Sequence, residues 1–114
     1  MAEFEISRRD RGGVTVLQLK GQLDAHTFPS LQRELEELVA AEDAQVVLDC
    51  ADLDYISSAG LGVLKKMTRE FRGLDGDLRL AALTPKINSV VTLLGFDQVL
   101  RVFPDSDQAV ESYR

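Results

Sequence analysis

The sequence predicts an α/β domain on a mixed β-sheet: an N-terminal antiparallel hairpin, then β-α-β-α-β, flanked by about four helices. Three observations carry this. Apolar and polar residues alternate on either side of Asp10-Arg11-Gly12-Gly13, one-sided apolar stripes recur at helical spacing, and short apolar runs separate those stripes. A hairpin followed by alternating helix and strand makes the later strand pairs parallel, joined by right-handed crossovers.

In chain order, Phe4 to Ser7 alternates, the Asp-Arg-Gly-Gly segment supplies turn chemistry, and Val14 to Lys20 alternates again, with Leu17 breaking the pattern. Phe28, Leu31, Leu35, Leu38 and Val39 form the stripe of a helix over about 27 to 41, with Pro29 near its start where a missing N–H costs little. Val46 to Cys50 reads as a central strand buried on both faces. A second helix is expected over about 58 to 72, with Gly60, Val63, Leu64, Met67 and Phe71 inward and a stop and turn at Gly73 to Asp77. Leu78 to Leu83 reads as a strand, and Thr84-Pro85 caps a helix with Ile87, Val90, Val91 and Leu94 on one side, ended by Gly95. Val99 to Phe103 makes a last strand, and Pro104-Asp105-Ser106 opens a helix carrying Ala109, Val110 and Tyr113.

Composition narrows the function. At 114 residues, 45% apolar and 28% charged, the chain is expected to fold as one domain over residues 1–114. Nineteen acidic against thirteen basic residues give a net charge of -6, which disfavours direct binding of nucleic acid, since that rests on Lys and Arg meeting phosphates. Glu34, Glu36, Glu37, Glu42 and Asp43 read as a solvated helix face. The lone Cys50 ends an apolar run where a small buried thiol fits. Met1-Ala2-Glu3-Phe4-Glu5 lacks the basic region and apolar core of a signal peptide, and no apolar run approaches the ~18 residues of a membrane span, so a cytoplasmic protein without membrane insertion is expected.

The segment Leu53-Asp54-Tyr55-Ile56-Ser57-Ser58-Ala59-Gly60-Leu61-Gly62-Val63-Leu64 joins the central strand to the second helix and places two hydroxyls where that helix begins. The first turn of a helix has unpaired N–H groups and the positive end of the macrodipole. A serine there either caps them or, once phosphorylated, holds its phosphate against them. Ala59, Gly60 and Gly62 leave the backbone open to another protein. Gly60-Leu61-Gly62 is not a dinucleotide fingerprint, because the third glycine would fall at Lys65, and the chain has no Walker run. Ser58 lacks the flanking glycines of a hydrolase elbow, having Ile56 and Gly60 two residues away. His26 is the sole histidine and is expected at the surface beside a helix start; with one Cys and one His, no zinc site is expected. The chain reads as a non-enzyme without cofactor or metal.

Gly21-Gln22-Leu23-Asp24 closing a strand, Val47-Leu48-Asp49, and the run from Tyr55 to Leu64 resemble the anti-sigma factor antagonists, stand-alone bacterial members of the sulphate transporter and anti-sigma factor antagonist (STAS) domain family. The resemblance implies that the unphosphorylated form binds an anti-sigma factor that is also a serine kinase, freeing a sigma factor, and that phosphorylation ends this binding. It implies a serine phosphatase as a further partner, and a monomer or weak dimer. In such proteins the accepting serine lies two residues before the first glycine of Gly-Leu-Gly, which is Ser58 here. Asp24, Ser57, Ala59, Gly60, Leu61 and Gly62 are the matching partner-binding positions. Many switching members carry an acidic residue just before the acceptor and Ser just after it, where this chain has Ser57 and Ala59, so Ser57 stands as an alternative acceptor. The same family also serves as non-switching scaffold or accessory subunits of sensing or transport complexes.

Overall fold

Residues 4–114 are described by a computed structural model. The part of the signal-peptide reading that rests on Met1, Ala2 and Glu3 lies outside the described residues.

Five strands form one sheet in the order β1-β2-β3-β4-β5, which is also their order along the chain. Strands β1 (Phe4–Arg11) and β2 (Val14–Leu23) are antiparallel, from Phe4 opposite Gly21 to Arg11 opposite Val14. Gly12 and Gly13 close the hairpin at φ 62° and 91°, a pair of left-handed positions that few other residues adopt, and Asp10 accepts the Gly13 N–H at 3.0 Å. The remaining strands, β3 (Gln45–Ile56), β4 (Asp77–Ala81) and β5 (Arg101–Phe103), pair in parallel. Crossover helices α1 (Phe28–Ala40), α2 (Ser58–Arg72) and α3 (Pro85–Leu93) connect β2 to β5, and α4 (Ser106–Glu111) ends the chain. The expected mixed sheet and its four helices are present.

Strand alternation sorts the core into two faces. Leu17, Leu19, Leu48 and Leu80 pack with Leu31, Leu35, Leu64, Met67, Phe71, Ile87 and Val91, so α1, α2 and α3 share one face. Val14, Val16, Val47 and Ala81 turn the other way and meet Ala109 and Val110 of α4. With both faces covered, the start of β2 is buried on both sides, which is why Leu17 interrupts a simple inside-outside alternation. Of the acidic residues expected on a solvated helix face, Glu36 and Glu37 are exposed on α1 opposite the buried Leu31, Leu35 and Leu38, and Glu34 is half-buried. Glu42 and Asp43 lie past the end of the helix, where Asp43 accepts the Thr15 hydroxyl at 3.0 Å.

Several boundaries differ from the expectations. β1 runs through its charged end to Arg11, because an edge strand pairs by its backbone whatever its exposed side chains are. β3 continues six residues past Cys50. Its register against β2 slips twice: Gln18 faces Asp49 but Lys20 faces Asp52, and Gly21 faces Leu53 but Gln22 faces Tyr55. Each slip is a bulge adding one residue to β3, which returns Leu53 and then Ile56 to the core. α3 stops at Leu93, so Leu94, expected on its inner side, is 52% exposed; Gly95 at φ 76° and a 3₁₀ turn at Phe96–Gln98 follow, and the last strand begins at Arg101, two residues later than expected.

Two polar features tie the end of α2 and the chain terminus to the sheet. The buried Asp77 receives Arg72 Nε at 2.9 Å and Arg79 Nε at 3.0 Å, and Arg79 also stacks over the Tyr113 ring at 4.0 Å. The Tyr113 hydroxyl donates to the Asp77 carbonyl at 2.7 Å. Cys50 is buried as expected, and burial pushes its thiol up to about 12.

Candidate functional site

Because β3 runs through Ile56 and α2 begins at Ser58, the strand-to-helix connection is Ser57 alone. Ser57 is extended (φ -91°, ψ 168°), and its Oγ accepts the Gly60 N–H at 3.1 Å, the expected helix cap. Its own N–H donates to the Leu23 carbonyl at 2.9 Å, and its carbonyl accepts the Leu61 N–H at 3.0 Å. Ser57 is therefore half-buried, with hydroxyl, amide and carbonyl all engaged.

Ser58 is the first helical residue, one step outward. It is exposed, and among the described residues its hydroxyl has no hydrogen-bond partner. The two adjacent serines thus divide the work the sequence left open between them. One holds the helix and the other faces solvent at its positive end.

The small residues that follow also separate into two roles. Gly60 is buried, and a Cβ there would lie 3.0 Å from Leu23 Cγ, 3.1 Å from the Leu23 carbonyl oxygen and 3.2 Å from Ile56 Cγ1. Any side chain there would make Leu23 and Ile56 give way by a few tenths of an ångström, so glycine suits the close approach of α2 to the ends of β2 and β3. Leu61 is fully buried in the main core. Gly60 and Leu61 hold the helix in place, so of the expected partner-binding residues on α2 it is Ala59 and Gly62 that are exposed, beside the equally exposed Ser58, the expected acceptor. A Cβ at Gly62 would meet nothing within 4 Å, so packing gives no reason for a glycine there, although it weakens a helix by roughly 0.5–1 kcal/mol relative to Ala.

Asp24 lies beside this turn through its neighbour Leu23, whose carbonyl holds Ser57. Its Oδ1 accepts the His26 N–H at 2.9 Å and the Thr27 N–H at 3.1 Å, so the carboxylate braces its own turn. The His26 backbone N–H, followed by the contributions of Thr27, holds its pKa below the ordinary carboxylate value. The Thr27 hydroxyl donates to the Gln22 carbonyl at 2.7 Å and accepts the Asp24 N–H at 2.9 Å. His26 is exposed, as expected.

Two residues of this region escaped sequence reasoning. Thr27 sits in a generic helix-start position, and its bonds run back to β2, which spacing does not reveal. Tyr55, 43% exposed near the end of β3, lies where alternation from the buried Leu53 would turn it inward; only the second bulge, invisible in residue types, turns it out. Among the described residues no group of three or more His, Cys, Asp or Glu could hold a metal ion, and no helix is long and apolar enough to cross a membrane.

The chain is thus a mixed-sheet α/β domain with an exposed serine at the start of α2. Its residues 5–109 match the STAS domain, and the chain belongs to that family. It is 31% identical over 102 residues, 90% of this chain and 88% of the other, to the putative anti-sigma factor antagonist BtrV of Bordetella bronchiseptica. The fold is also that of an anti-sigma factor antagonist from Mycobacterium paratuberculosis, with TM-score 0.87 and 24% identity over 96% of this chain and 92% of that one. The Bacillus cell fate determinant SpoIIAA, solved in its phosphorylated form, superposes with TM-score 0.73 at 18% identity over 97% of this chain and 99% of its own.

Proposed function

We propose that this chain is an anti-sigma factor antagonist that acts by partner switching in the cytoplasm. Its unphosphorylated form binds an anti-sigma factor that is also a serine kinase and so releases a sigma factor; phosphate on Ser58 ends that binding, and a serine phosphatase restores it. The chain itself is a regulatory protein and not an enzyme. The observation that carries this reading is the exposed, unpartnered Ser58 hydroxyl at the first residue of α2, beside a Ser57 hydroxyl already committed to the cap. The names borne by the relatives support the same class of activity.

The physics of the switch follows from position. A phosphoserine adds about -1.5 to -2 charges, which the exposed start of a helix accommodates, so the fold survives modification. A partner surface fitted to a neutral hydroxyl, Ala59 and the bare backbone at Gly62 then meets a bulky dianion that it cannot pair. Recognition is lost while structure is kept. Asp24, fixed in its turn, adds negative charge on the neighbouring segment and strengthens that discrimination.

Incubation with the neighbouring-gene anti-sigma kinase and ATP, followed by mass spectrometry, tests the reading. Wild type and Ser57→Ala should gain one phosphate and Ser58→Ala none. No phosphate on the wild type with any such kinase would favour a non-switching scaffold or accessory subunit instead.

A further inference from the structure

Thr27 occupies the residue before α1, where a threonine ordinarily caps its own helix, yet its side chain makes no capping hydrogen bond there. The hydroxyl is turned back toward β2. It donates to the Gln22 carbonyl at 2.7 Å and accepts the Asp24 N–H at 2.9 Å, so a single oxygen clasps the residues on either side of Leu23. Asp24 Oδ1 answers by accepting the Thr27 N–H at 3.1 Å. Leu23 is in turn the residue whose carbonyl holds the Ser57 N–H at 2.9 Å and whose carbonyl oxygen and Cγ stand 3.1 Å and 3.0 Å from a Cβ built on Gly60.

We infer that Thr27 is a positioning residue for the switch serines: its hydroxyl fixes the Leu23 carbonyl from which Ser57 hangs, and through Ser57 sets where Ser58 is presented. The assignment of Ser58 as phosphate acceptor rests on the preceding proposal, whereas the clasp itself does not. Helix α1, which bears none of the expected acceptor residues, becomes part of the machinery that aims the acceptor. Losing the hydroxyl frees the Gln22–Asp24 segment to drift and lets the Ser57 amide open to water without removing any apolar contact of the core. The surface that docks the kinase, Ala59 and Gly62 on the body of α2, stays in place, so the loss falls on the phosphoryl-transfer step and not on docking.

The test combines amide hydrogen exchange with kinase kinetics on Thr27→Val, which keeps the shape and removes the hydroxyl, and Thr27→Ser, which restores it. Exchange should show the Ser57 amide protected about tenfold less in Thr27→Val, with Thr27→Ser near wild type and amides at the centre of β4 unchanged. With the kinase that phosphorylates the wild type, kcat for Ser58 should fall about tenfold in Thr27→Val at nearly constant KM, and Thr27→Ser should recover it. In the wild type, the Asp24 and Ser57 amides should share one opening event, with protection within about threefold of each other; this holds the idea to account even if Thr27→Val fails to fold. Unchanged Ser57 protection in Thr27→Val, or unrelated protection of Asp24 and Ser57 in the wild type, overturns the clasp. Reduced protection with unchanged kcat overturns the aiming role. If no kinase phosphorylates the wild type, the switch fails instead, and exchange still decides the clasp.

Discussion

Two helices of this domain begin in nearly the same way and end up with different tasks. Both α2 and α3 start just beyond a parallel strand, and each is capped by a hydroxyl from an extended residue: Ser57 Oγ to the Gly60 N–H at 3.1 Å, Thr84 Oγ1 to the Ile87 N–H at 3.4 Å. The next residue separates them. At α3 it is Pro85, which has no N–H to offer and no hydroxyl to modify, followed by the cation Lys86. At α2 it is Ser58, followed by Ala59 and a glycine packed against Leu23. A capped helix start is ordinary structure; what α2 adds, and the proposed recognition surface rests on, is an exposed hydroxyl, small neighbours and a glycine at position 62 that packing does not require.

Substitutions break that comparison to graded extents. The largest effect is expected for Gly60→Val, whose side chain has no room beside Leu23 and Ile56; urea unfolding should register a loss of about 3 kcal/mol. Ser57→Ala removes the better cap and should cost about 1 kcal/mol, and Thr84→Ala, with its longer bond, about half that. Gly62→Ala should move stability the other way, raising it by about 0.5 kcal/mol in the same measurement, while weakening the affinity for the kinase because the added methyl stands on the docking face. A glycine whose replacement stabilises the fold and harms binding is there for the partner.

The smallest effect concerns Asp24. Its pKa is held below the ordinary 3.8 by the His26 N–H and then by Thr27. A depressed carboxylate contributes stability that is present above its unfolded value and is lost as pH falls through the folded one, so the turn should hold at neutral pH and loosen only below about pH 4. A carboxyl-carbon NMR titration should place the midpoint of Asp24 below 3.8.

Much of this architecture is legible from residue types, and the illegible parts share a physical cause. The start of α2 at Ser58 follows from two serines before a helical stripe, and Thr84-Pro85 marks α3 equally well. The length of β3 could not be read, because its two bulges expose Asp52, Asp54 and Tyr55 in an order that matches neither strand nor helix period. At the site, spacing placed both serines at the helix start but could not assign their roles. That division depends on the Leu23 carbonyl, which reaches Ser57 from a strand more than thirty positions earlier in the chain. Gly60 and Gly62 are likewise equivalent in the sequence and opposite in the fold, one against the core and one facing solvent.

The switch is tested most directly by titrating the anti-sigma kinase with the unmodified protein and with protein phosphorylated stoichiometrically on Ser58, after circular dichroism has shown both to be folded. Affinity at least about tenfold weaker for the phosphorylated form, a cost of at least about 1.4 kcal/mol, is the expected result. Equal affinity for the two forms would contradict the assignment of Ser58 as the residue on which partner choice turns.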